Sequence, residues 1–497
     1  MLKLIFVKIA AITDVIAALF IFKVKYLKSL FLNILLLLCL VPIVENSAQA
    51  ATLQVTPSDN LQEKLDASAD GDIVKLAPGR YLGNFVVNHK ITLSGFHTNN
   101  ANANANANAN AIDEASAVID AKGKDHAIVL KQSDTVIENL TIVNWGDDLT
   151  AQDSGIYAID KASNIVISGN RLKGDGFGIW LQKGKNIKVL NNIIEGNTAL
   201  RSADRGNGIQ LSIVENVEVK NNEVFNTRDG LYIISSQHNV LENNTVHDLR
   251  YGIHYMYSHS NKVLNNSAYN TRAGYALMSS RHLVVDGNRT VDSEDYGFLL
   301  NFITSSTISN NHIENVWTKP ENKVLGRDGK GLFVYNSAYN TIKNNLIDTA
   351  EIGIHLTAGS ENTQVYGNSF INNPIQVKYV SNKKQEWSFE GQGNYWSNYL
   401  GWDMNGDNIG DVIFEPNDGI DQLIWQYPEM KMIMDSPVVL ILRWIQKEFP
   451  VLKPPGIKDS FPLMRSGVLL NSATTITSSL APDNDDIQIH ADKAEQQ

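Results

Sequence analysis

Cysteine is nearly absent. The 497 residues contain one, Cys39, set in an apolar run with Leu38 before it, where a lipoprotein site would need a small residue. Disulfide staples are therefore excluded, and any soft-metal site has to be built from methionine and histidine. Charge is sparse as well: Asp, Glu, Lys and Arg make up 19% of the chain and the net charge is −11, which argues against nucleic acid as a partner. The LxxLxL signature of a leucine-rich repeat, with its helical return, is also missing.

What the chain has is a beat. Gly155, Gly178, Gly208, Gly230, Gly252, Gly274, Gly297, Gly331 and Gly353 follow one another at steps of 23, 30, 22, 22, 22, 23, 34 and 22. Asn170, Asn192, Asn222, Asn244, Asn266, Asn288, Asn311, Asn345 and Asn368 keep the same rhythm in GN or NN pairs. Between them lie alternating apolar runs such as GLYII, GIHYM and GYALM, each followed by a second short run such as VEVKNN or LVVDGN. Alternation over four or five residues marks a strand with one buried face. Short strands joined at Gly and Asn corners of positive φ make a mainly β fold, a right-handed parallel β-helix solenoid. Asparagine suits an inward corner because its amide can pair with the coils above and below. Coils about 4.8 Å apart make nine repeats roughly 40 Å long.

Lys23, Lys25 and Lys28 precede the apolar run Leu30 to Val44, and Ala48-Gln49-Ala50 follows as a cleavage site, so residues 1–50 read as a signal peptide. Its loss takes five lysines and two acids and leaves a net charge of −14. Residues 51–435 form the β-helix domain, with an N-terminal cap containing a short helix from Leu61 to Ala67. The Asn-Ala run at 100–111 is expected to be a disordered insertion. Ser436 caps a helix from Pro437 to Glu448; the helix and the extended segment after it, residues 436–464, are expected to dock on a partner, and residues 465–497 to be a disordered tail.

Strand parity places the chemistry. Positions +1 and +3 from each repeat glycine should face inward, and +2 and +4 outward. The outward set includes Trp180, Tyr232, His254, Met256, Met278 and Phe333, an apolar face that calls for a docking partner. His254 and Met256 share one strand, with Met278 one coil over beside Met256. An imidazole with two thioethers favours copper(I); His259 and His282 lie close by. Padding of a protein interface is the plainer alternative. Arg228, Arg250 and Arg272 stack in three successive coils and need acids such as Asp229 or Asp295, or an external anion. Insertions before Gly208 and Gly331 bracket this face.

Asp403, Asn405, Asp407 and Asp411 fall at positions 1, 3, 5 and 9 of a calcium-type loop, with Phe414 where a glutamate belongs, so calcium competes with a simple Asx-turn cap. The helix VVLILRWIQKEF is apolar on almost every side; Leu440, Trp444 and Phe449 are its largest candidates for partner contact.

The stretches TRDGLYI, HDLRYGIHYMYS, TRAGYALM, GNYWSNYLGWDMNGDNIGDV, EPNDG and SPVVLILRWIQKEFPVLKPPGIKDSFPLM resemble the NosD family, periplasmic copper-processing proteins required for nitrous oxide reductase maturation. The resemblance covers nearly all of the chain from residue 51 to Met464. It implies a non-enzymatic scaffold that works with the membrane subunits and cytoplasmic ATPase of an ABC-type transporter. It also implies copper received from a periplasmic lipoprotein chaperone and delivery toward the copper-sulfide cluster of the reductase. The competing reading is a secreted polysaccharide lyase or C5-epimerase acting on acidic glycans, which rests on the fold and the arginine row alone.

Overall fold

The computed structural model describes residues 20–28, 50–95 and 116–467, apart from 159, 161, 325, 358, 382, 434, 435 and 450–455. The Asn-Ala run, the tail from residue 468 and most of the leader lie outside the described residues. Residues 1–49 and 50–497 form two separate units. In the first, residues 20–28 are helical.

The second unit is a parallel β-helix. Among the described residues its strands stack into one sheet of 13 strands and another of 22, coil pairing in parallel with coil. Positions +1 and +3 face inward as parity requires: Ile179, Leu181, Ile253, Tyr255, Phe298 and Leu300 are all fully buried in one continuous core. The helix Leu61–Asp66 closes the N-terminal end with Leu61 and Leu65, and Asn60 accepts from the Glu63 amide as its N-cap.

The asparagine ladder is continuous. From Asn170 through Asn192, Asn222, Asn244, Asn266, Asn288, Asn311, Asn345 and Asn368, each side-chain amide donates to the next asparagine's Oδ1 at 2.9–3.0 Å, and Asn394 extends the row by one rung. Nδ2 also reaches a strand carbonyl, as from Asn266 to Leu241, so these buried amides are satisfied.

The corner chemistry corrects one expectation. Positive φ belongs to the first member of each NN or GN pair, such as Asn243, Asn265 or Gly287, and not to the repeat glycines. Those glycines are required by close approach: a Cβ on Gly252 would stand 2.4 Å from the Gly274 carbonyl, and one on Gly230 would stand 2.6 Å from that of Gly252. The 23-residue step from Gly274 to Gly297 is absorbed by a register shift after Thr271.

The C-terminal end holds two features absent from the sequence reading. A helix Gly419–Gln426 is set by a capping box of Asp418 and Asp421. It packs Ile420 and Ile424 on Val439 of the helix Pro437–Glu448, and Arg443 bonds both Asp418 and Asp421. The segment after the helix is not an arm into solvent. Ile457–Lys458 pairs with Gln385–Glu386, and the fully buried Asp459 accepts from the Asn394 amide at 2.8 Å and from Trp396 Nε1 at 2.8 Å. Residues 457–466 thus strap the last coil.

Candidate functional site

In the coil 245–256 the chain runs as one long strand, in register with 229–234 on one side and 267–278 on the other. This register places Tyr232 beside His254 and Met256 beside Met278. His254 points away from the core, yet it is only 7% exposed. Its Nδ1 lies 2.9 Å from Asp229 Oδ2, and Asp229, 1% exposed, receives a two-pronged bond from Arg250 at 2.8 and 2.7 Å. Burial alone would raise the Asp229 carboxyl; the hydrogen bonds from His254 and Arg250 outweigh it and hold the pKa below the ordinary range. The other ring nitrogen of His254, Nε2, is buried with no partner among the described residues. Tyr232 touches both candidate ligands. Its ring centroid is 4.5 Å from that of His254, and its hydroxyl donates to the Met256 sulfur at 3.3 Å.

An imidazole whose Nδ1 is fixed by a buried carboxylate, with Nε2 free, is arranged as metal-ligating histidines usually are. Among the described residues no three His, Cys, Asp or Glu side chains converge as a metal site, so a metal here depends on the thioethers. His259 follows one corner later, its Nδ1 also buried and unpartnered; burial, with Arg281 and His282 adjacent, pushes its pKa down.

The outward row is more covered than strand parity alone implies. Gln210, His254, Ala276 and Leu299 are buried and Trp180, Tyr232 and Phe333 half-buried, because neighbouring rings pack along the stack: Phe177 meets Trp180 edge-on at 4.6 Å, and Phe333 lies between Tyr296 and His355 at 5.4 and 4.8 Å. One opening on this side is a cavity of about 350 Å³ bordered by Trp180, Asn207, Arg228, Tyr232 and His254. Its Asn207 comes from the first insertion, and the second insertion folds back so that Arg327 reaches Asp295 at 2.9 Å.

The arginine row is partly neutralised. Arg250 binds Asp229, and Arg272 meets Asp295 at 2.5 Å, whereas Arg228 has no ion pair or side-chain hydrogen bond among the described residues. Asp229 was expected as a partner of the arginine row but not of His254; it is the only acid directly before any of the nine repeat glycines.

The loop at 403–411 takes the Asx-turn arrangement, and nothing supports calcium there. Asp403 accepts from the Gly406 and Asn408 amides, Asn405 from Asp407, Asp407 from Ile409 and Asp411 from Met404. The side chains are turned onto their own backbone, the Asx-turn arrangement, and form no shared cage. The helix Pro437–Glu448 does present its apolar side: Leu440 and Trp444 are each 61% exposed and Phe449 is 56% exposed. Among the described residues no helix is long and apolar enough to cross a membrane.

Comparison with known proteins agrees with this architecture. A family described as "Periplasmic copper-binding protein (NosD)" matches residues 190–401, and one described as "Right handed beta helix region" matches residues 94–225. A "Probable ABC transporter binding protein NosD" of Pseudomonas aeruginosa is 45% identical over 417 residues, 84% of this chain and 92% of that protein. One of the same description from Stutzerimonas stutzeri is 43% identical over 355 residues, 71% of this chain and 81% of that protein. A family 28 exopolygalacturonase of Yersinia enterocolitica superposes with a TM-score of 0.47 at 11% identity, over 67% of this chain and 78% of that one, too loosely to bear on function. With a relative this similar along most of both chains, the protein belongs to the NosD family of periplasmic copper-binding proteins.

Proposed function

We propose that this protein is the periplasmic scaffold of an ABC-type copper-processing system and carries Cu(I) as cargo at His254, Met256 and Met278 during assembly of the copper-sulfide cluster of nitrous oxide reductase. The observation that carries the reading is the state of His254: one nitrogen is held by Asp229, itself bound by Arg250, the other is buried and unpartnered among the described residues, and Met256 lies two residues along the same strand with Met278 in register beside Met256. A buried polar atom without a partner is costly in a folded protein unless it has a ligand to meet. Imidazole with thioethers is a soft set suited to Cu(I), and few ligands make for weak binding, which fits a carrier that must release its load.

The relatives' description as ABC transporter binding proteins supports the second half of the reading, in which the exposed face of the helix Pro437–Glu448 docks on the transporter's membrane subunits. Copper would arrive from a periplasmic lipoprotein chaperone. Residues 1–50 would be removed on export.

Competition with a chromophoric Cu(I) chelator tests the site: affinity should fall at least tenfold in the Met256→Leu/Met278→Leu variant, and unchanged affinity would remove these residues as ligands. Copper and sulfide analysis of the reductase from a strain lacking this protein tests the role. A reductase with full copper and sulfide content would refute it.

A further inference from the structure

The cavity beside Arg228 has an unused set of polar groups that copper does not explain. Arg250 and Arg272, its neighbours in the row, are each held by a buried aspartate. Arg228 lines the cavity with its guanidinium unbonded among the described residues, and the Asp229 charge next to it is already taken by Arg250 and His254. That leaves a local surplus of one positive charge in a partly enclosed space. Two more groups there lack partners among the described residues. Trp180 Nε1, a donor, is buried with no acceptor, and Asn207 Oδ1, an acceptor, is buried with no donor; the Asn207 amide nitrogen is occupied, donating to Gln210 at 2.8 Å. Phe177, Trp180 and Tyr232 supply flat apolar walls.

This inventory defines a ligand. A guanidinium fork with an indole N–H matches a carboxylate, the free Asn207 oxygen asks for an O–H or N–H on the same molecule, and the rings accept a flat apolar body. The volume is at the lower end of ordinary small-molecule pockets. We propose that this cavity binds a small organic carboxylate that also carries a hydroxyl or amino group. Two sources share that chemistry: a free acid, such as a sugar acid, and the carboxyl terminus of a peptide chain. None of the three groups that would hold the ligand is a candidate copper ligand, so loss of the thioethers tests copper binding separately, although His254 borders the same cavity.

Calorimetric titration of the purified exported chain tests it with D-glucuronate against D-glucose, and with the dipeptide Ala-Tyr against its amide. At least one carboxylate should bind tenfold or more tightly than its uncharged counterpart; glucuronate alone would identify a free acid, and the dipeptide alone a chain end. Arg228→Gln should weaken that binding at least tenfold with an unchanged melting midpoint, since the Arg228 side chain has no hydrogen bond or ion pair to lose among the described residues. Arg228→Lys, which keeps the charge but not the fork, should fall between, and Trp180→Phe should also bind more weakly. The Met256→Leu/Met278→Leu variant should bind the carboxylate normally. Absence of any preference for carboxylate over counterpart, or full affinity in both Arg228→Gln and Trp180→Phe, overturns the proposal.

Discussion

Asp229 Oδ2 and His254 Nδ1, on adjacent coils, are 2.9 Å apart, and this one contact fixes which nitrogen of the imidazole is free. Asp229→Asn would lose the carboxylate that orients the ring, so Cu(I) affinity should drop roughly 10–100-fold even though no proposed ligand is touched. Chelator competition reads this directly. Affinity equal to wild type would mean that His254 is not a ligand.

Arg250 is the counterion of a buried carboxylate. Arg250→Ala should destabilise the β-helix by about 3–5 kcal/mol, the usual cost of stranding one charge of a buried pair, measured by denaturant unfolding. The same measurement bears on the enzyme alternative. If the row serves structure, the wild type releases no unsaturated product from uronate polymers and leaves their C5 configuration unchanged; ultraviolet absorbance or proton NMR of the polymer would expose either activity.

Removing a single rung tests the ladder. Asn266→Ala deprives Asn244 of the acceptor for both its backbone and side-chain N–H groups, at about 1–3 kcal/mol for each buried group left without a partner. Asn405→Ala, in the exposed loop, should cost far less. Equal losses at the two sites would refute the structural weight given to the ladder.

The C-terminal docking surface calls for substitution instead of truncation, because cutting after Asp435 would also remove the strap at 457–466. Leu440→Asp/Trp444→Asp changes two exposed side chains and should leave the melting midpoint nearly unchanged while the protein no longer co-purifies with the transporter's membrane subunits. Co-purification at full yield would move the docking surface elsewhere.

Burial raises the Asp459 carboxyl from its ordinary 3.8 to about 6, against the pull of the hydrogen bonds from Trp396, Asn394 and Phe461. The folded state therefore holds this proton more tightly than the unfolded chain. Its contribution to stability is fullest below pH 4 and is lost as pH rises from about 4 to 6. The wild type minus Asp459→Asn difference in unfolding free energy should decline across that window. A difference that stays flat would show Asp459 ionised in the fold throughout.

The solenoid was legible because its physics is periodic: Gly252 and Asn266 recur in place coil after coil, and each recurrence repeats the same steric or hydrogen-bond demand. Inward parity at Ile253 and Tyr255 follows from the same alternation. How far the outer row is covered was not legible, since parity tells which way Trp180 or Phe333 points and says nothing of the neighbouring rings that pack on it. Asp229 as the partner of His254 required knowing the coil register, a relation between residues 25 positions apart. Asp459 was harder still, because its contacts with Asn394 and Trp396 cross more than 60 residues with no repeat to announce them.

The ladder of amides also has a direction. Each asparagine donates toward the C-terminal end, so the row has a donor left over at its last rung, Asn394, whose amide ends on the Trp387 carbonyl and on Asp459. A whole period, such as 245–266, could be cut out or duplicated and every remaining rung would still find its neighbour, because one coil presents the same face as the next. The final acceptor cannot be spared in this way. The length of the solenoid is open to change, while its terminus is specified by the strap that carries Asp459.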